Sequence, residues 1–131
     1  MAWRVLRLAM VPVLLAQAAW AGPLAGAVPG DAGRGRALVI GKGNCLACHV
    51  MPIPSEPDHG DIGPDLDGIG SRLSAEQLRQ RLVDAKTVNP DTIMPSFFRA
   101  DLHRVAKDWR GQTIFSAQDV EDVVTYLQTL K

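Results

Sequence analysis

Apolar positions recur at Val120, Val123, Val124, Leu127 and Leu130, the i, i+3, i+4, i+7 spacing that makes one face of an α-helix. Ser116 stands at the N-cap with Asp119 at N3, and Phe115 with Val120 takes the staple positions that fix the entry angle of the chain. Lys131 falls at the negative end of this helix's dipole. Ser74-Ala75-Glu76-Gln77 opens a second helix with a capping box, stapled by Leu73 and Leu78. Its face continues through Leu82 and Ala85 until Asn89-Pro90 ends the pattern. A third helix is predicted from a cap at Asp31 to about Lys42, with Ala37, Leu38 and Ile40 apolar. Gly33 and Gly35 each cost that helix about 1 kcal/mol relative to Ala. Either one of them admits another helix close to the backbone, or the N-terminus is frayed.

Between these elements the chain reads as turn. Gly22 to Pro29 is Gly/Ala/Pro-rich and is expected to be a loose arm. Val50 to Gly63 carries Pro52, Pro54, Pro57 and Gly60, and Gly63-Pro64-Asp65-Leu66 with Gly68 and Gly70 prolongs the irregular stretch. Leu102, Val105, Ala106 and Trp109 have helical spacing over a short run, compatible with a helix or with a packed irregular loop. No repeat or strand-like alternation appears. The pattern is all-α.

The first residues read as an address instead of as structure. Arg4 and Arg7 form a positive n-region, Leu8 to Trp20 is an almost unbroken apolar run, and Ala19-Trp20-Ala21 is a small-x-small cleavage site. The run is shorter than the about 20 residues a spanning helix needs, so the division expected is a signal peptide at 1–21 and one domain at 22–131. An uncleaved N-terminal anchor is the alternative. Cleavage leaves 110 of 131 residues, with 12 Lys/Arg against 14 Asp/Glu, a net charge of −2. That balance gives no reason to expect nucleic acid or an anionic membrane surface as partner. The export signal points to the periplasm, with no membrane insertion of the mature chain.

The chemistry lies in Cys45-Leu46-Ala47-Cys48-His49, the pattern by which haem c is attached. The spacing lets one helical turn present both sulfurs to one edge of a macrocycle, as thioethers, with His49 as the proximal axial ligand. A zinc site would want further ligands at set spacing, and the chain has no third cysteine. A thioredoxin-like dithiol would want a βαβ pattern around it, which is missing. A chain of this size with 5% aromatic residues would draw much of its core from the porphyrin. Folding and cofactor retention should therefore be linked. The turn-rich stretch after residue 63 would pass behind the haem, where some group must accept the Nδ1 proton of His49.

A low-spin electron-transfer haem also needs a sixth ligand. Met1 and Met10 leave with the signal, and Met51 lies two residues beyond His49, too close to reach the other face. Met94 remains, about 45 residues after the motif, enough chain to round a porphyrin. Pro95 keeps it out of a helix. Its competitors are His59, His103 and the lysines, and a methionine can also simply fill a core gap. His59 sits in the acidic loop Glu56-Pro57-Asp58-His59-Gly60-Asp61 and reads as solvated; His103 has no assigned role. Met/His ligation raises the potential relative to two nitrogen ligands and leaves no open position for a substrate. No catalytic residue is therefore assigned on this chain.

Gly63-Pro64-x-Leu66 after the attachment motif, with a later Met94-Pro95, resembles class I cytochrome c across nearly the whole mature chain. The resemblance implies that fold, helices wrapped around one haem c, and implies that Pro64 gives its carbonyl to His49. It also implies a crossing of the terminal helices, with Gly35 and Tyr126 as the pair. The usual aromatic of the first helix is replaced by Leu38 or Val39. More narrowly, Gly43-Asn44-Cys45, Asn89-Pro90-x-Thr92-x-Met94-Pro95-Ser96-Phe97-Phe98-Arg99 and Val120-Glu121-Asp122-Val123-Val124-x-Tyr126-Leu127, in that order, are similar to the SoxX family of monohaem subunits.

That likeness implies a larger SoxA-like haem subunit as heterodimer partner. The pair would act as an L-cysteine S-thiosulfotransferase, joining thiosulfate oxidatively to a cysteine of the carrier SoxYZ and passing electrons to a cytochrome c acceptor. This chain would carry electrons, the sulfur chemistry belonging to the partner. A free-standing periplasmic electron carrier has the same site; a haem sensor is disfavoured by a saturated iron. Subunit and carrier should differ in surface, an apolar patch against a charged rim. Phe97, Phe98 and Trp109 are candidates for such a patch, or pack in the core.

Overall fold

The computed structural model describes residues 24–102 and 105–131. The segment read as a signal peptide and His103 lie outside them. Four α-helices are present among the described residues: α1 (Ala32–Ile40), α2 (Ile69–Arg72), α3 (Ala75–Asp84) and α4 (Ala117–Thr129). Short 3-10 turns stand at Cys45–Ala47, Ala85–Thr87 and Lys107–Trp109. None of the described residues is in a β-strand, and no described helix is long and apolar enough to cross a membrane.

The helix starts follow from their caps. Asp31 accepts the Arg34 N–H at 2.7 Å. Ser74 and Gln77 exchange side-chain and backbone bonds at 3.2 and 2.9 Å, and Ser116 and Asp119 do so at 3.1 and 3.0 Å. These bonds satisfy N–H groups that have no partner inside the helix. The ends are less regular than the pattern predicts. α1 stops at Ile40, two residues early, because the Gly43 N–H turns back to the Leu38 carbonyl at 2.7 Å. α3 tightens into the 3-10 turn after Asp84. Among the described residues from 105 to Trp109 the only regular element is the short 3-10 turn, and Trp109 is half exposed.

The central packing is the crossing of α1 on α4. At Gly35 a Cβ would overlap the Asp122 carbonyl and come within 2.8 Å of Tyr126 Cβ. The glycine that costs α1 helix propensity thus admits α4 against the backbone, and Gly35 faces Tyr126 as expected. Gly33 has open space by comparison, meeting only the Asp31 side chain at 3.2 Å. Val39, Val120, Val123 and Phe115 are fully buried here, and Phe115 stacks on Phe97 with centroids 4.8 Å apart.

Three features depart from the local pattern. The arm before α1 is not loose from Leu24 onward. Its N–H groups donate to Glu121, Gln118 and Asp122 of α4, from Leu24, Val28 and Asp31 at 3.0, 2.8 and 2.8 Å. α4 also buries charge beside its apolar stripe: Arg79 forks onto Glu121 at 2.7 and 2.8 Å, and Arg34 bonds Asp122 at 2.8 Å. The turn-rich stretch also holds the one-turn helix α2. It is anchored where the Gly70 N–H meets the Leu130 carbonyl and Lys131 Nζ meets the Gly70 carbonyl, both at 2.8 Å. Lys131 thereby serves α2 directly instead of only the end of α4.

Candidate haem site

A cavity of about 640 Å³ opens between the Cys45–His49 turn, the 62–66 loop, α3, α4 and the segment carrying Met94. Its floor is Leu78, Leu82, Val123, Leu127 and Phe97. It is bordered by Cys45, Cys48, His49, Pro64 and Met94 together. The local backbone explains the first wall. Asn44, at φ 47°, turns the chain, after which the Cys48 and His49 N–H groups both bond the Cys45 carbonyl, at 3.1 and 2.9 Å. One tight turn thus sets both thiols and the imidazole around the same space.

Burial pushes the Cys45 thiol up to about 11. A redox or nucleophilic cysteine needs the opposite, a depressed value, so Cys45 does not have the character of a reactive thiolate. Among the described residues no group of three or more His, Cys, Asp and Glu is placed to hold a metal ion.

The imidazole is held from behind. His49 Nδ1 lies 2.7 Å from the Pro64 carbonyl oxygen. A carbonyl can only accept, so Nδ1 carries a proton, and in the neutral ring the lone pair is then on Nε2. Gly63 is part of this cradle: a Cβ there would overlap the His49 ring. In the sequence Gly63 reads as a turn residue and as part of the Gly63-Pro64-x-Leu66 motif; its contact with the His49 ring is visible only in the structure.

Met94 is partly buried, packed against the core. Its N–H donates to Thr92 Oγ1 at 3.2 Å. Lys86 Nζ reaches the Thr92 carbonyl at 2.8 Å, and beyond Pro95 the Phe97 N–H bonds the Leu82 carbonyl at 2.9 Å. Met51 is buried in the core instead of bordering the cavity.

His59 is not the solvated residue expected of its acidic loop. Its Nδ1 accepts the Met51 N–H at 3.2 Å, and its Nε2 is buried without a hydrogen-bond partner. The loop folds back so that the Gly60 N–H meets the Leu46 carbonyl at 2.8 Å, carrying the ring inward. Of the aromatics suggested for a surface patch, Phe97 is buried on Phe115, Phe98 is half-buried, and Trp109 is exposed.

The thiol pair, the proton-fixed imidazole and the apolar floor fit a covalently bound haem. The cytochrome c family model matches residues 32–131, and the chain belongs to that family. It is an electron-transfer protein with covalently bound haem c. Within the family it is SoxX-like. It is similar to the crystal structure of SoxXA from P. pantotrophus, with a TM-score of 0.74 and 35% identity, over 84% of this chain and 88% of that one. A comparison with curated proteins finds no match.

Proposed function

We propose that this chain is the electron-accepting subunit of a periplasmic sulfur-oxidising complex. Cys45 and Cys48 would carry the thioether bonds of haem c, and His49, through Nε2, and Met94 would ligate its iron. The single observation supporting this assignment is that Met94, far from the Cys45–His49 turn in sequence, borders the same apolar cavity as Cys45, Cys48 and His49.

Haem c supplies one-electron chemistry at the iron. The protein's part is positioning and exclusion. The Pro64 carbonyl holds the proton on His49 Nδ1, which fixes the tautomer and raises the basicity of Nε2. Leu78, Leu82, Phe97, Val123 and Leu127 exclude water from the cavity floor; together with a thioether ligand, such a dry environment favours the less charged Fe(II) state. With His49 and Met94 both as ligands the iron would offer no substrate position, and no residue of this chain is assigned to catalysis.

Residues 1–21 are the export signal and 22–131 the mature cytochrome domain. The likeness to SoxXA supports a SoxA-like haem subunit as heterodimer partner. The conjugation of thiosulfate to the cysteine of SoxYZ, the thiosulfotransferase reaction, takes place on that partner, and the electrons pass to a cytochrome c acceptor. The cysteine count agrees with this division. The chain's two cysteines are both in the attachment motif, so none remains to carry a sulfur intermediate.

The test is isolation of the mature chain from its native periplasm, followed by a thiosulfate-dependent cytochrome reduction assay. Co-purification of a second haem-staining polypeptide is expected, with turnover lost when this chain is omitted. A lone monomer that exchanges electrons yet never supports thiosulfate turnover would establish a free-standing carrier instead.

A further inference from the structure

We propose that Asp84 is the positioning residue for the Met94 side of the site. The inference rests on the reading of Met94 as distal ligand.

Asp84 is the last residue of α3 and caps the 3-10 turn Ala85–Thr87 that follows, and it is only 7% exposed. A buried carboxylate must be compensated by donors. The compensation is three donors. Lys86 N–H and Ser96 Oγ–H reach Oδ1 at 3.2 and 2.7 Å, and Arg99 Nη1 reaches Oδ2 at 2.7 Å. Hydrogen bonds to a charged acceptor are the strong kind, and that from Ser96 foremost holds the carboxyl below its ordinary range.

The donors are informative because of where they stand. Ser96 and Arg99 lie two and five residues beyond Met94, with the rigid Pro95 between. Lys86, whose backbone is held by the same carboxylate, grips the other side of the strap through Nζ on the Thr92 carbonyl. Asp84 therefore ties the end of α3 to both flanks of Met94. Cutting these ties would let the strap lift from the cavity while the α1–α4 crossing stayed in place.

The test uses the haem-loaded protein and the variants Met94→Ala, Asp84→Asn and Ser96→Ala. The readouts are the red charge-transfer band of an Fe(III)–thioether bond and titration with imidazole, which competes with the methionine for iron. Met94→Ala should abolish the band. Asp84→Asn and Ser96→Ala should keep wild-type helical circular dichroism, weaken the band and bind imidazole about tenfold tighter, the factor set by losing one charge-assisted bond. Wild-type band and imidazole affinity in both variants, with the band lost in Met94→Ala, would overturn the positioning role and leave the ligand assignment standing. A band that survives Met94→Ala would instead remove the ligand assignment, and this proposal with it. If Asp84→Asn fails to fold, Ser96→Ala decides alone, because it deletes a single hydroxyl and no charge.

Discussion

Replacing Glu121 by Ala should destabilise the protein by about 3 kcal/mol. The Arg79 and Glu121 side chains are 10% and 6% exposed, so solvent does little to screen the pair. The substitution removes both bonds of the fork and the acceptor of the Leu24 N–H. Breaking one side of a buried pair costs roughly 3–5 kcal/mol, because the other charge stays buried. Glu76, 2.8 Å from Arg79 Nη1 but 43% exposed, offsets part of this, which sets the lower end of that range. A domain of about 110 residues loses roughly 0.23 kcal/mol of stability per degree near its midpoint, so the melting temperature should fall by about 13 °C. Thermal unfolding of the haem-loaded variant, followed by circular dichroism, measures it.

The pH dependence supplies a second check on the same residue. Burial alone would raise the Glu121 carboxyl, but the bonds from Arg79 and the Leu24 N–H outweigh it and the value is lowered. A lowered folded value means that the stabilisation is complete above the ordinary glutamate range, about 4.3, and is lost as pH falls through the folded value. The gap between wild type and Glu121→Gln should therefore close below about pH 4. Leu at both Arg79 and Glu121 should recover at least half of the loss, since an apolar pair leaves no stranded charge. A loss below about 1 kcal/mol in Glu121→Ala, the size expected of an exposed pair, would refute the reasoning.

Further predictions follow the same geometry. Gly35→Ala places a methyl into the Asp122 carbonyl and Tyr126 and should cost about 1–3 kcal/mol; a chemical-denaturation midpoint equal to wild type would show that the crossing is looser than described. Gly63→Ala should displace the His49 ring from the Pro64 carbonyl. Haem attachment would survive, but the potential should rise as imidazole basicity falls, and voltammetry showing no change would dismiss that role for the cradle. Met94→His should keep the haem attached and lower the potential by on the order of 0.1 V, within the about 0.8 V that haem ligands and environment set; an unchanged potential would mean that Met94 is not the ligand.

What could be read directly from the chain was whatever depends on neighbours within a turn or two. The Ser74 and Ser116 capping boxes, the Asp31 cap and the Val120–Leu127 stripe all sit where the structure has them. So does the Cys45–His49 turn, because its geometry is a matter of five consecutive residues. Met94 stands out in the sequence only by elimination among few candidates; the structure puts it on the cavity wall.

The tertiary structure alone decided which groups meet across the chain. Leu24 and Glu121 stand 97 positions apart and Arg79 and Glu121 stand 42 apart. Nothing local to any of these residues marks it as buried, and isolated charges on a helix read as its solvated face. The same holds for Gly63 against the His49 ring, for the inward turn of His59 and for the three donors gathered on Asp84. Periodicity and caps report the short-range energetics of one element. Burying a charge is favourable only once distant partners have arrived to satisfy it, and their arrival is a property of the packed fold.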